Sequence, residues 1–299
     1  MPRRQPRGFT LNEVLIALVL VGIIGAAFTK LLASQSRYFD KMTNLRAARS
    51  VARASTNVLF YDLRMVQDSG GIDSASSDGK TIRVIVPYRF GLVCGTNSNT
   101  TIVMMLPIDS ATDAMSQYAG FAYRNSTGAS AGRYTIITPP EPKDDDKPAN
   151  SSSASTCTGS SSGQQQLRTV TLNGRSSTVL DLKNNAPSGA PALAPAFMWE
   201  HVTYSFKASS SYPGYYGLYR NVQGGTNEEL LAPFDSTARF RFFVAGDDTS
   251  RTTVPALSDI RGIALVLDAL SPKTVSNDAT THSPSRIVTS VFFKNVRSY

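Results

Sequence analysis

The sequence predicts an α+β protein: a long N-terminal α-helix, membrane-inserted over its first half, packed on a head of antiparallel β-sheets. Three observations carry this. Val14 to Phe28 is an unbroken run without a charged or polar side chain, and no proline occurs between Phe9 and Gly70. Tyr38, Met42, Leu45, Ala48, Ala52, Leu59, Leu63 and Val66 recur at three- and four-residue steps or sums of them, one face of a continuing helix. After Gly71 the pattern turns to short runs alternating apolar and polar residues, as half-buried antiparallel strands do.

Composition narrows the function classes. Charged residues make up 17% of 299, low for a cytosolic enzyme, which suits an exported β-rich protein. Lys and Arg number 30 against 22 Asp and Glu, a formal +8. Removing Arg3, Arg4 and Arg7 with the first eight residues leaves 27 − 22, or +5, a mild basic excess. The two histidines, His201 and His282, stand far apart without ligand spacing. There is no Gly-x-Ser-x-Gly elbow, phosphate loop or zinc spacing, so no catalytic residue, cofactor or metal site is predicted, and no enzyme. Cys94 and Cys157 are a candidate disulfide or two unpaired thiols.

The first element begins MPRRQPRGFTLNEVLIALVLVGIIGAAF. From Phe9 to Leu32 the helix would be roughly 36 Å long, enough to cross a bilayer. A secretory signal peptide ending at Gly25-Ala26-Ala27 would place a carboxylate, Glu13, directly before its apolar core. A plain anchor leaves Gly8-Phe9-Thr10 and Glu13 without a reason. The run Gly8-Phe9-Thr10-Leu11-Asn12-Glu13, followed by Val14-Leu15-Ile16-Ala17-Leu18, closely resembles the class III leader of type IV prepilins and type II secretion pseudopilins. The resemblance implies a leader of residues 1–8, cut between Gly8 and Phe9 by prepilin peptidase, with N-methylation of Phe9. The apolar segment 9–32 then stays on the mature chain. It further implies an assembly role for Glu13, pairing with the new amine of Phe9 or of a neighbouring subunit, because a paired charge is tolerable where a lone one is not. Partners implied are the peptidase, the inner membrane, and other minor and major pilins or pseudopilins. The N-terminus lies inside before cleavage and the body outside.

Residues 33–70 continue the helix as an amphipathic rod ending at Gly70-Gly71, so that Phe9 to about Val66 spans roughly 87 Å. A bare first half and a second half packed on its own sheet match the lollipop design of pilins. Many major pilins kink this helix at a proline; here only Gly22 and Gly25 interrupt the bulk. Arg46, Arg49 and Arg53 form a basic stripe, read either as a partner or nucleic-acid contact or as a solvated face.

In the head, residues 71–299, strands are predicted at 81–87, 101–108, 119–124, 134–138, 167–172, 177–182, 200–207, 217–221, 239–245, 260–269 and 286–294. The stretch 139–166, PPEPKDDDKPANSSSASTCTGSSSGQQQ, reads as a mobile polar loop. Lys143 and Lys147 flank Asp144-Asp145-Asp146 and no ligand ladder follows, so this is a solvated charge run, not a calcium site. VTYSF (202–206), GLYRN (217–221), FRFFV (240–244), DIRGIALVLDAL (259–270) and SVFFKNVRSY (290–299) are similar, in order, to large minor pilins and to the J-type minor pseudopilin of type II secretion. The resemblance implies a structural minor pilin at or near the tip of a type IV pilus, priming its assembly. A secretion pseudopilin, or an adhesive or DNA-uptake minor pilin, are the alternatives. DNA as a partner rests on the basic excess alone.

Overall fold

The computed structural model describes residues 10–66, 71–97, 100–106, 118–125, 134–137, 149–150, 171–172, 175–176, 179–183, 191, 193–223, 225–274 and 282–293. One helix, α1 (Leu11–Leu63), precedes all the strands. The first group is β1 (Ile72–Ala75), β2 (Thr81–Asn97), β3 (Thr100–Met105), β4 (Gly120–Arg124) and β5 (Tyr134–Ile137). Short pieces follow: β6 (Ala149–Asn150), β7 (Thr171–Leu172), β8 (Arg175–Ser176) and β9 (Val179–Lys183). The C-terminal set is β10 (Pro195–Ala208), β11 (Tyr216–Val222), β12 (Glu228–Phe234), β13 (Arg239–Val244), β14 (Ile260–Thr274) and β15 (His282–Phe292).

The helix is unbroken for 53 residues, passing through Gly22 and Gly25. It stops at Leu63, short of the glycine pair expected to end it. The last turn tightens instead: the N–H groups of Met65 and Val66 donate three residues back to the carbonyls of Asp62 and Leu63, at 2.9 and 3.4 Å. The predicted polar loop lies outside the described residues, apart from Ala149–Asn150. That pair hydrogen-bonds to β9.

Among the described residues, thirteen strands share one sheet, in the order β13-β14-β12-β11-β10-β2-β3-β9-β6, with β1 joined to β2, β15 to β14, β4 to β10 and β5 to β4; β7 and β8 form a separate hairpin. Pairing is antiparallel throughout these ladders. The long strands β2 and β10 lie side by side from Thr81 to Leu92, with a bulge at Met198/Trp199. At that bulge the indole of Trp199 lies where a Cβ on Gly120 would stand, 2.5 Å away, so only glycine lets β4 close on β10 here.

Helix and sheet meet through the second half of α1, which packs on β12, β14 and β15. Ala52, Leu59, Leu63 and Val66 join Val84, Val202, Phe206, Leu218, Phe234 and Leu265 in one core. Burying each of the larger side chains is worth about 1.5–3 kcal/mol. The stripe read from sequence begins later than expected: Tyr38 is exposed, Met42 and Leu45 are half-buried, and full burial starts at Asn44 and Ala48. Three polar residues share the buried face. Asn44 Nδ2 donates to the carbonyl of Thr274 at 3.2 Å, and Ser55 Oγ donates to the carbonyl of Val51 at 2.8 Å. The third, Asp62, sits at the centre of a charged cluster.

The phenol of Tyr204 donates to Asp62 Oδ2 at 2.5 Å, and Arg220 Nε donates to the same oxygen at 3.3 Å. Arg220 Nη2 reaches Glu200 Oε1 at 3.5 Å. The side chains of Asp62 and Glu200 are only 5% and 6% exposed. Burial raises the Tyr204 phenol, and the Asp62 charge raises it further. Burial also raises the Glu200 carboxyl; Arg220 opposes this and Asp62 reinforces it.

Removing one partner of a buried ion pair costs roughly 3–5 kcal/mol, because it strands the other charge. Asp62→Ala is therefore expected to lose about 3 kcal/mol, and Tyr204→Phe about 1 kcal/mol for a lost hydrogen bond. Urea denaturation of the detergent-solubilised chain checks this; an Asp62→Ala variant as stable as the parent would refute it. The Glu200 carboxyl is raised on folding, so the folded state favours its protonated form. Its contribution is fully present below the unfolded value and lost as pH rises through the raised one. Glu200→Gln should thus match or exceed the parent in thermal stability at pH 7, and any advantage should vanish on acidification below the raised value. An advantage that instead grows in acid would contradict this sign.

Candidate assembly surface

Every described residue from Thr10 to Lys41 is exposed, while the same helix beyond Asn44 is seated on the sheet. Thirty-one helical residues therefore project free of the head, about 46 Å at 1.5 Å each. Leu11 is 83% exposed, Leu18 68% and Ile24 66%, and the apolar side chains cover all sides of the rod. Water-soluble monomers rarely expose apolar surface on this scale, which marks a membrane or protein contact. The segment is long and apolar enough to cross a membrane. Its backbone is satisfied internally, as a lipid or dry protein surrounding demands. The hydroxyl of Thr29 is satisfied too, donating to the Ala26 carbonyl at 2.9 Å.

At the free end, Thr10 is the N-cap and Glu13 closes a capping box. Glu13 N–H donates to Thr10 Oγ1 at 3.4 Å, while Thr10 N–H donates to Glu13 Oε2 at 3.1 Å. The Thr10 hydroxyl lies 3.2 Å from that same oxygen. Glu13 thus has a local role that the sequence reading passed over. The signal was present as Thr10-x-x-Glu13 immediately before an apolar run. A carboxylate in the first turn also faces the positive end of the helix dipole. Gly8 and Phe9, the predicted cleavage pair, lie outside the described residues.

The other singled-out residues are scattered. Cys94 is buried on β2 and disulfide-bonded; Cys157 lies outside the described residues. His201 packs edge-on to Trp199 at 5.1 Å, with Nδ1 3.8 Å from Asp73 Oδ2. Burial and the Arg83 charge lower its pKa, against the pull of Asp73. His282 is on β15, against the Ser271 carbonyl and the ring of Tyr215. The histidines therefore belong to separate strands and separate surroundings. Among the described residues, no three His, Cys, Asp or Glu side chains gather to hold a metal ion. Arg46, Arg49 and Arg53 are exposed along one side of α1, in a shallow groove with Ser50 and Asn57.

Loss of an N-cap side chain costs a helix about 1 kcal/mol. Thr10→Ala is accordingly expected to speed amide exchange in the first turn of α1 by several-fold and leave the seated half unchanged. Hydrogen exchange of the chain in micelles reads both; unchanged first-turn exchange would remove the capping box as a structural feature.

The family profile described as Prokaryotic N-terminal methylation motif matches residues 3–29. No curated protein and no solved structure matches the chain. The motif and the long apolar helix that continues from it together fit a type IV prepilin-like protein.

Proposed function

We propose that this chain is a structural minor pilin of a type IV pilus, acting at or near the tip and priming assembly. One observation carries the reading: a methylation motif leads directly into a helix bare of its own protein for its first 31 residues and buried against its own sheet thereafter. Such a helix has two uses in sequence. It holds the precursor in the inner membrane; after cleavage between Gly8 and Phe9 it packs among the helices of other pilins. The peptidase site requires the small residue at Gly8. The mature chain starts at Phe9, where a methylated amine stands within one helical turn of Glu13, close enough for the carboxylate to neutralise it or the amine of a neighbour. Cys94 and Cys157, the chain's two cysteines, form the disulfide that ties the polar stretch 139–166 to β2.

The pseudopilin reading shares every one of these steps and differs only in the fibre joined. The order of GLYRN, DIRGIALVLDAL and SVFFKNVRSY is similar to large minor pilins and to the J-type pseudopilin alike; the chain length and the large polar stretch favour the pilus. Deleting the gene separates them: loss of surface pili supports the first and loss of secreted enzymes the second. Retention of DNA by the full chain at low salt, lost at high salt, would add the uptake role.

N-terminal sequencing and intact mass of protein taken from membranes should give an N-methylated Phe9 as first residue. A chain beginning near Phe28 would sink the proposal. Glu13→Gln keeps an acceptor for the Thr10 N–H but loses the charge. It should still be cleaved yet enter fibres at least tenfold less. Incorporation at the parental level would reduce Glu13 to its capping role. Alkylation before and after reduction should label no cysteine in the native chain and two in the reduced one.

A further inference from the structure

The face of the sheet turned away from α1 carries a cavity of its own. Phe240, Phe242, Leu265 and Leu267 point into the core, so by strand alternation Arg239 and Arg241 on β13 and Val266 and Asp268 on β14 point the other way. Arg286 on β15 stands opposite Asp268. The turn before β13 brings Asp235 and Thr237 to the same place, anchored by the Asp235 N–H, which donates to the Asp268 carbonyl at 2.8 Å. These residues line a cavity of about 390 Å³, with buried Val266 and Leu270 as its floor. Small-molecule pockets run from roughly 300 to 1,000 Å³, so this one suits a single ring or a short chain.

Charges of both signs are held there. Arg239 Nε donates to the Thr237 carbonyl at 3.0 Å, and Arg241 Nη2 donates to the Ser250 carbonyl. These bonds orient the two guanidinium forks without neutralising them. Among the described residues neither arginine forms an ion pair, and the buried Arg241 Nε meets no hydrogen-bond acceptor. The neighbouring cations are already engaged: Arg286 pairs with Asp268 Oδ1 at 3.4 Å, and Arg251, beside the lining residue Thr252, pairs with Asp247 at 2.8 Å. On the acidic side, Thr237 Oγ1 lies 2.8 Å from Asp235 Oδ1 and 2.7 Å from Asp268 Oδ2. One hydroxyl has one proton, so it serves one carboxylate at a time and leaves the other accepting. The Thr237 N–H, helped by the Lys80 charge and opposed by burial, holds the Asp235 carboxyl below its ordinary value, so it stays an acceptor only.

We propose that this cavity binds a hydroxylated carboxylic acid of the uronic acid class, its carboxylate on Arg239 and Arg241 and its hydroxyl groups on Asp235 and Asp268. The mixture of charges selects the class. Guanidinium forks with unspent donors ask for a bidentate anion. Ionised carboxylates beside them ask for O–H donors and repel a sulfate or phosphodiester, which has none to offer. The apolar floor takes the C–H face of a sugar ring. The ligand is a free sugar acid or one residue of an acidic polysaccharide. Such binding belongs to the head alone and is independent of the fibre that the bare helix enters.

The test titrates galacturonate into the full chain in detergent micelles and follows saturation transfer by NMR. Galacturonate should bind saturably and at least about tenfold tighter than galactose or sulfate, each of which lacks one half of the recognition. Arg239→Gln and Arg241→Gln should each weaken it at least about tenfold. Asp235→Asn keeps an acceptor for the Thr237 N–H but loses the charge. It should weaken galacturonate and tighten sulfate several-fold, a gain that a misfolded variant cannot show. In a second arm, oligogalacturonate held at least about tenfold tighter than the monomer identifies a polysaccharide as the source, and equal affinity identifies the free acid. Binding of neither sugar overturns the site. So does sulfate or galactose bound as tightly as galacturonate, or parental affinity in the Arg239→Gln/Arg241→Gln double variant.

Discussion

An α-helix that leaves its own protein for 46 Å must keep every backbone hydrogen bond internal and find its side chains another surrounding. That constraint governs the rest of the molecule. It excludes proline from the bare segment, and it makes a first-turn cap valuable, because the first N–H groups of a helix have no partner within it. It also requires the seated half to be held firmly, since whatever acts on the bare half is transmitted along one continuous rod to the sheet.

The seat answers that requirement with two kinds of contact. Alanines 48 and 52 let the helix axis come close to the sheet, and Leu59, Leu63 and Val66 fill the core beyond them. Hydrophobic packing of this kind is tolerant of small rotations and slips. The carboxylate of Asp62 is not, because its oxygen must meet the phenol of Tyr204 and the guanidinium of Arg220 together. A slip of one residue would bury the charge without either. The cluster is costly in desolvation, as the raised Glu200 carboxyl records, and what it adds is a single register of helix on sheet.

The periodic apolar positions made the helix legible, and alternation made β10, β13 and β15 so, because both signals come from one buried face meeting one wet one; β14, buried on nearly every residue, shows instead as an apolar run. What stayed hidden follows from the same physics. Asn44, Ser55 and Asp62 lie on the buried stripe, yet a hydropathy pattern assigns polar residues to the outside; the distant partners Thr274, Tyr204 and Arg220 explain Asn44 and Asp62, and Ser55 is satisfied by the Val51 carbonyl of its own helix. β1 is four residues long and β12 is interrupted by Pro233, so neither offers a clean alternation. The extension of β2 to Asn97 beyond Pro87 was missed because proline argues against a central strand, whereas here it falls at the register shift opposite Met198/Trp199. Strand order has no local signature at all. At the surface site the charge of Glu13 drew attention to a remote partner, and the nearer one, Thr10, went unread.

The observed partner of Glu13, Thr10, leaves room for the amine proposed for it. One bond of the capping box runs from Glu13 N–H to Thr10 Oγ1 and the other from Thr10 N–H to Glu13 Oε2, so the box and the Thr10 hydroxyl engage a single oxygen of the carboxylate. A carboxylate has two oxygens and about four acceptor directions, so a box of this kind orients the group without saturating it. The cap fixes the rotamer of an exposed side chain that would otherwise lose about 1–2 kcal/mol of conformational freedom on meeting an amine. A glutamate whose rotamer is already set by Thr10 makes a better fibre contact than a free one. In the fibre proposed above, the threonine three residues before it serves through the capping box rather than through any contact of its own.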